Sequence, residues 1–377
     1  MNSLSIDRLR RYAVARTLFE PTTLGGAIER LGFVQADPIR APARAQDLIL
    51  RPRVRGYRAA DLEREYPRLA IDEEYFVNYG FMPHAHVAFL HPRRSRLRRD
   101  SRAERRVAAL LEFARERGEV HPRAAAAHFA HGRVTNLWGG ASSATTQLLD
   151  RMHYQGLLRV ARRDNGIRIY AARTAPPGSG AERASAALRR SQAESLIALI
   201  VRLYAPLPAA SLAALVAMLR HAAPQLRGEL TRALARARQL LAHTVSEGIT
   251  WYWPPDETPH DLARDAAAPP PERVRLLAPF DPLVWDRRRF ERFWGWTYRF
   301  EAYTPVSRRK LGYYALPLLW RDRVIGWGNL SVADGRLAAD VGYVTGKPPR
   351  GRAFRTELEA ELDRVAAFLG LSQAATD

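Results

Sequence analysis

The 377-residue chain carries 59 basic residues, of which only Lys310 and Lys347 are lysines, against 39 acidic ones, for a net charge of +20. It has no cysteine, which excludes disulfides, thiolate zinc sites, iron–sulfur clusters and cysteine nucleophiles and fits a reducing cytoplasm. No apolar run approaches the roughly 20 residues that cross a bilayer, so no membrane partner is expected.

The amino-terminal MNSLSIDRLRRYA has charges where a secretory signal needs its apolar stretch. Ser5 is placed to cap a helix whose apolar positions Ile6, Leu9, Tyr12 and Ala13 recur at helical spacing. A second helix is predicted from about Thr23 to Leu31, stopped by Gly32. The stretch GFVQADPIRAPAR follows. In an extended chain Gln35 and Asp37 project to one face while Val34 and Ala36 face the other, and Pro38 ends the strand because it has no N–H to donate. Short helices are expected near Ala43–Leu50 and Ala59–Tyr66, and IDEEYFVNYGFMP reads as a strand entering a turn.

Residues 91–106 hold eight arginines against one aspartate and one glutamate. A solvated face is the ordinary reading of such a run, and on an already basic chain a phosphate-contacting segment is expected. From 104 to 172 the pattern is three helices, the last beginning at hydroxyl caps and ending at Gly156, then two strands flanking Asp164-Asn165-Gly166. Asn-Gly is a strong hairpin signal, so this is the helix order and wing of a winged helix, whose third helix enters a major groove. TAPPGSGAERAS, 174–185, reads as a linker. A helical run over about 184–242 leads into a second wing around Glu247-Gly248, in the manner of a degenerate repeat. PPDETPHDLARDAAAPPPERV marks a second boundary. Beyond it VRLLAPF, TYRFEAYT, GYYALPLLW, VIGWGNLSV and LAADVGYV read as strands of a small closed or half-closed sheet, before a terminal helix at about Arg352–Leu369.

The expected fold class is therefore α+β, mainly α, with tandem winged-helix motifs and a carboxy-terminal β-barrel-like domain. The segments are 1–103, winged-helix-like and carrying Gln35-Ala36-Asp37; 104–173, a second winged helix; 184–254, a third; and 271–377, the barrel with its helix. Codon bias explains arginine in place of lysine but not the shortage of acids, and an excess of cations recruits a polyanion. Double-stranded DNA is the expected partner, bound by a monomer. Arg40, Arg44, Arg93, Arg94, Arg308, Arg309 and Lys310 are the candidate phosphate contacts, the last three at a cationic hairpin tip between TYRFEAYT and GYYALPLL. His84, His86 and His91 lack the carboxylate or histidine partners of a metal site, and no metal or cofactor is expected.

The tail from LLAPFDPLVWDRRRF to GYYALPLLWRDRVIG resembles the carboxy-terminal block of the YcaQ/AlkZ family of bacterial DNA glycosylases. The resemblance rests on Phe280-Asp281-Pro282-Leu283, Trp285-Asp286-Arg287 and Tyr313-Tyr314, and it extends over essentially the whole chain in element order. It implies tandem winged helices and a β-barrel clamped around DNA, and hydrolysis of the N-glycosidic bond of alkylated, including crosslinked, purines. It also implies that Gln35 and Asp37 are the catalytic residues, in the aspartate-bearing form of the family signature. The chain departs from the family at Tyr75-Phe76-Val77-Asn78-Tyr79, at Ala45-Gln46-Asp47, and at Trp327-Gly328-Asn329-Leu330, which stands where a family aspartate is common.

The chemistry is consistent with that role. An N7-alkylated guanine is cationic and leaves as a neutral base, so the site must stabilise an oxocarbenium-like sugar and deliver water; a carboxylate serves both ends. Gln35 offers a donor and an acceptor for the water or a sugar oxygen. An imine mechanism needs an amine, and no lysine lies near the motif in sequence, which points to a monofunctional hydrolase. Asp-Pro is also a common turn opening. The alternative function is a non-catalytic tandem winged-helix DNA-binding protein or transcriptional regulator, with an RNA-acting protein behind it. The expected location is cytoplasmic, with the nucleoid.

Overall fold

Local signals set several helix ends. In the computed structural model, which describes residues 4–93, 101–135, 140–174, 185–259 and 271–371, Ser5 Oγ accepts the Arg8 amide and caps α1 (Ile6–Thr17). Thr23 caps α2 (Leu24–Leu31), and Gly32 closes it at φ 75°. The predicted linker at 174–185, most of the boundary at 254–274 and Arg94 with the centre of its arginine run lie outside the described residues.

The chain packs as two units, residues 1–62, 197–217 and 234–377 in the first and residues 63–196 and 218–233 in the second. The fold is α+β and mainly helical, as expected. In the first unit the extended pair β1 (Val34–Gln35) leads to α3 (Ala45–Leu50), and α4 (Asp61–Glu65) follows at the unit's edge. Three helices, α9 (Ala186–Tyr204), α10 (Ala209–Ala222) and α11 (Arg227–Leu240), occupy the predicted helical run. The short β8 (Leu207–Pro208) pairs with β10 (Ile249–Trp253), which pairs in turn with β9 (Ala242–Ser246). Trp251 of β10 is buried and stacks on Phe293 at 5.3 Å, so the Trp251-Tyr252-Trp253 run is core. Burying such rings stabilises by about 1.5–3 kcal/mol each.

The carboxy-terminal sheet is antiparallel in the order β11 (Val274–Leu276), β12 (Leu316–Trp320), β13 (Arg323–Ala333), β14 (Arg336–Tyr343), and forms the barrel-like part of the fold. One predicted strand is absent. TYRFEAYT, 297–304, has no strand pairing because its side chains serve another purpose, described below. Between β11 and β12 lies α12 (Arg287–Trp294), capped by Asp286, whose carboxylate accepts the amides of Arg288 and Arg289. The last helix, α13 (Arg352–Leu369), packs on β11.

The second unit contains a hairpin, β2 (Ile71–Tyr75) and β3 (Tyr79–Pro83), and a helical turn, α5 (His84–Val87). After them come α6 (Ser101–Arg117), α7 (Pro122–Phe129) and α8 (Ala144–Tyr154), then the wing β6 (Leu158–Asp164) and β7 (Ile167–Ala172). A small extra hairpin, β4 (Arg133–Thr135) with β5 (Ala141–Ser143), stands before α8 and was not predicted. The wing turns on Asn165 and Gly166, both at positive φ (48° and 84°), the conformation that two-residue hairpins need.

Three consecutive acids of β2 are buried and answered by arginines. Glu73 binds Arg163 at 2.7 and 2.6 Å, Asp72 binds Arg173 at 2.9 Å, and Glu74 binds Arg93 at 2.8 Å and His91 at 2.9 Å. Arg163, Arg173 and Arg93 therefore serve interior carboxylates rather than the surface, which hydropathy alone does not reveal.

Candidate active site

Within the first unit, β1 ends at Gln35. The expectation that one regular strand carries Gln35 and Asp37 on the same face is therefore corrected: residues 36–40 follow no ladder. Asp37 Oδ1 accepts the Ile39 amide at 2.9 Å across Pro38, and the Asp37 amide reaches Gln46 Oε1 of α3 at 3.3 Å. The turn reading and the site reading of Asp37 are thus compatible, because only one carboxylate oxygen closes the turn. Oδ2 has no hydrogen-bond partner among the described residues. Partial burial raises the Asp37 pKa above the ordinary carboxylate value, opposed by the Ile39 amide.

Gln35 is buried, and its Oε1 accepts the Trp285 indole N–H at 2.9 Å. An indole nitrogen only donates, so the atom facing it is the amide oxygen, and the amide NH2 is what Gln35 presents elsewhere. The indole takes one of the two lone pairs of the Gln35 oxygen and fixes which way the amide points.

Trp285 is held by the turn at 278–286. Asp281 is completely buried, and its backbone oxygen accepts the amides of Val284 and Trp285, both at 2.8 Å. Its carboxylate grips Arg53 through two bonds of 2.8 and 3.0 Å. Arg53, equally buried, also donates to Thr17 O at 2.9 Å and Ile49 O at 2.5 Å. Arg287 closes the same turn on Val284 O and Pro279 O and lies over the Tyr298 ring. The Phe280–Arg287 motif is therefore a scaffold that aims Trp285 at Gln35. Sequence reasoning noted these residues as a resemblance but assigned them no task; a buried Asp and Arg 228 positions apart leave no local pattern.

An aromatic cluster lies within electrostatic range of Asp37. The charge of Asp37 reaches Tyr303 and Tyr314, whose phenols are raised by desolvation first and by that charge second. Phe300 links them, with ring centroids 6.0 Å from Tyr303 and 5.2 Å from Tyr314. Tyr314 is buried and its hydroxyl has no hydrogen-bond partner among the described residues. Tyr303, in contrast, is 78% exposed.

The segment carrying Arg308, Arg309 and Lys310 is not a hairpin tip. Glu301, buried, accepts the amides of both Lys310 and Leu311 at 2.8 Å, closing a loop that contains a single turn of 3-10 helix at Val306–Arg308. A side-chain carboxylate replaces strand pairing at its neck, which is why TYRFEAYT does not join the sheet. Gly312, at φ 115°, packs so tightly against Asn329 that a Cβ there would lie 2.2 Å from Oδ1, and Asn329 Nδ2 donates to Leu311 O at 2.7 Å. Asn329 thus fixes the turn that presents Tyr313 and Tyr314.

Among the predicted phosphate contacts, Arg40, Arg308 and Lys310 are exposed. Arg44 is half-buried at the start of α3. Arg309 donates to Thr304 O at 2.8 Å and lies 5.0 Å from the Tyr313 ring, so it braces the loop. Arg93 is a correction: its side chain is fully buried, and it binds Glu74, Tyr154 O, Tyr75 O and Ala222 O. No phosphate can reach it in this fold. His91 is the buried partner of Glu74, and His84 sits 3.6 Å from Asp72. Among the described residues no group of three or more histidines and acids is placed to hold a metal ion, nor is any helix long and apolar enough to cross a membrane.

The architecture is that of a winged-helix protein with a barrel-like carboxy-terminal sheet. The family described as AlkZ-like, DNA glycosylase AlkZ-like, matches residues 28–368, and the chain belongs to that family. The solved structure of Streptomyces sahachiroi DNA glycosylase AlkZ is similar in fold, with a TM-score of 0.63 and 15% identity over 100% of both chains.

Proposed function

We propose that this protein is a monofunctional DNA glycosylase that hydrolyses the N-glycosidic bond of alkylated purines, N7-alkylguanine foremost, with Asp37 and Gln35 as the catalytic pair. The observation that carries the reading is the state of Asp37. One oxygen is held by the Ile39 amide and the other has no partner among the described residues, in a half-buried position from which the charge reaches Tyr303 and Tyr314. A carboxylate so placed stabilises a developing oxocarbenium ion more strongly than one in bulk water. Its second oxygen accepts the proton of the attacking water. The Gln35 amide, turned by Trp285, donates to that water or to a sugar oxygen.

The exposed Tyr303 offers a face on which a base can stack. Arg40, Arg308 and Lys310 supply cations for the phosphates around it, so duplex affinity should fall steeply with salt. The departing base is neutral, so the site needs no strong acid.

The test is release of N7-methylguanine from methylated duplex by the wild type, Asp37→Asn and Gln35→Ala, with duplex affinity measured in parallel. The expected result is release by the wild type and loss of about 100-fold or more in Asp37→Asn, at unchanged duplex affinity. Absence of release from both N7-methylated and crosslinked duplexes overturns the reading. Sequence-selective binding that ignores lesions and both substitutions would favour the transcriptional regulator. Borohydride should trap no covalent DNA adduct; a Lys310-dependent adduct would replace direct hydrolysis with an imine route.

A further inference from the structure

A second cationic site lies in the first unit, where the loop after α3 meets β11 and α13. A cavity of about 410 Å³ opens there, lined by Arg51, Arg55, Arg58, Arg273, Arg275 and Arg364, with Glu361 as the lone carboxylate. Glu361 is buried and already accepts from Arg51 at 2.5 Å, from the Leu276 amide at 2.9 Å and from Arg364 at 2.9 Å. Glu361 answers Arg51 and Arg364, and Glu357 lies 3.6 Å from Arg364, which leaves Arg55, Arg58, Arg273 and Arg275 without a carboxylate partner among the described residues.

Two of the cavity's guanidinium groups are built in without full satisfaction. The Arg51 side chain is only 7% exposed, and its Nε has no hydrogen-bond partner among the described residues. The half-buried Arg275 side chain makes no hydrogen bond or ion pair among the described residues. Burial, with repulsion from Arg273, Arg53 and Arg364, brings its pKa down to about 10. Holding cations together at this depth costs stability unless an anion completes the site. The remaining wall is apolar: Tyr57 stacks with Phe368 at 6.2 Å and 15°, and both line the cavity. The volume falls in the range of small-molecule pockets.

We propose that this cavity is an anion site that takes a phosphoryl group, with Arg51 and Arg275 as its inner donors and Arg273, Arg364, Arg55 and Arg58 as its rim. Guanidinium forks match phosphate oxygens two at a time. The phosphoryl group comes from a free phosphorylated metabolite, whose apolar part rests on Tyr57 and Phe368, or from a nucleic-acid backbone. The proposal does not rest on the glycosidic chemistry, and its test does not read base release.

The experiment is calorimetric titration of the full chain with pyrophosphate at low ionic strength. Variants are Arg275→Gln and, as a control removing the same charge from the exposed surface of β14, Arg336→Gln. Saturable binding at one site is expected, weakened at least tenfold by Arg275→Gln and less than twofold by Arg336→Gln. Binding that does not saturate, or that weakens equally in both variants, reflects only the general field of a +20 chain and overturns the proposal. Arg275→Gln removes a cation its neighbours repel, so its melting temperature should hold or rise. If that variant fails to fold, Arg273→Gln repeats the test at the rim. Displacement of pyrophosphate by a short undamaged duplex assigns the phosphoryl group to a nucleic-acid backbone. Lack of displacement, with duplex affinity unaltered in Arg275→Gln, assigns it to a free ligand.

Discussion

Asp281→Asn tests the scaffold beneath the site. The wild-type carboxylate and the Arg53 guanidinium are both 0% exposed and share two bonds of 2.8 and 3.0 Å. Asparagine keeps the volume, and its oxygen can still accept the Leu283 amide, which lies 3.0 Å from Asp281 Oδ1. Its NH2 then faces an Arg53 N–H, donor against donor, and the guanidinium is left buried without its anion. Breaking one side of a buried pair costs about 3–5 kcal/mol. Arg53 retains the carbonyls of Thr17 and Ile49, so about 3 kcal/mol is expected. With a urea dependence near the upper end of about 1–3 kcal/mol per molar, the midpoint should fall by about 1 M, followed by tryptophan fluorescence. Arg53→Met combined with Asp281→Leu removes the orphaned charge as well and should be less destabilised than the sum of the single changes. A shift under about 0.3 M for Asp281→Asn, on the same scale, would refute the claim that this ion pair holds the turn.

Trp285→Phe deletes the indole N–H and leaves the buried Gln35 oxygen unpaired, a cost of about 1–3 kcal/mol; base release should slow through kcat more than through KM, because Gln35 loses its orientation. The raised pKa of Asp37 means that the fold holds the protonated form more readily. Stability from this group is full below the ordinary value of 3.8 and is lost as pH rises through the raised value. Asp37→Asn should therefore melt at or above the wild-type temperature at pH 7, while wild-type base release, which needs the carboxylate, should fall on acidification with a midpoint above 3.8. Tyr303→Ala should leave the melting temperature unchanged, since the ring is 78% exposed, and weaken substrate binding about tenfold if one base stacks there.

The legible features share a local cause. Ser5, Thr23 and Ser143 cap the helices they precede, and Asn165-Gly166 and Glu247-Gly248 turn their hairpins. In each case the deciding contact spans only a few residues. The misread features are long-range. TYRFEAYT alternates like a strand, yet Glu301 faces the Lys310 and Leu311 amides and ties a loop. Arg93 sits in a run that reads as solvated, yet Glu74 draws it inside. Both errors involve a charged side chain whose partner is distant in sequence or whose burial no window of residues discloses.

By itself the sequence determined the mainly helical class, the wings, the basic balance and the identity of Gln35 and Asp37 as the residues to watch. The first three follow from periodicity, turn chemistry and net charge, and the two residues from what the family resemblance implies. Only the tertiary structure decided what those two residues can do. It set Trp285 against Gln35 across 250 positions, left one oxygen of Asp37 without a partner among the described residues and brought the charge of Asp37 to bear on Tyr303 and Tyr314. The physical reason is that the orientation of an amide and the desolvation of a carboxylate are set by atoms in space, wherever the chain has carried them.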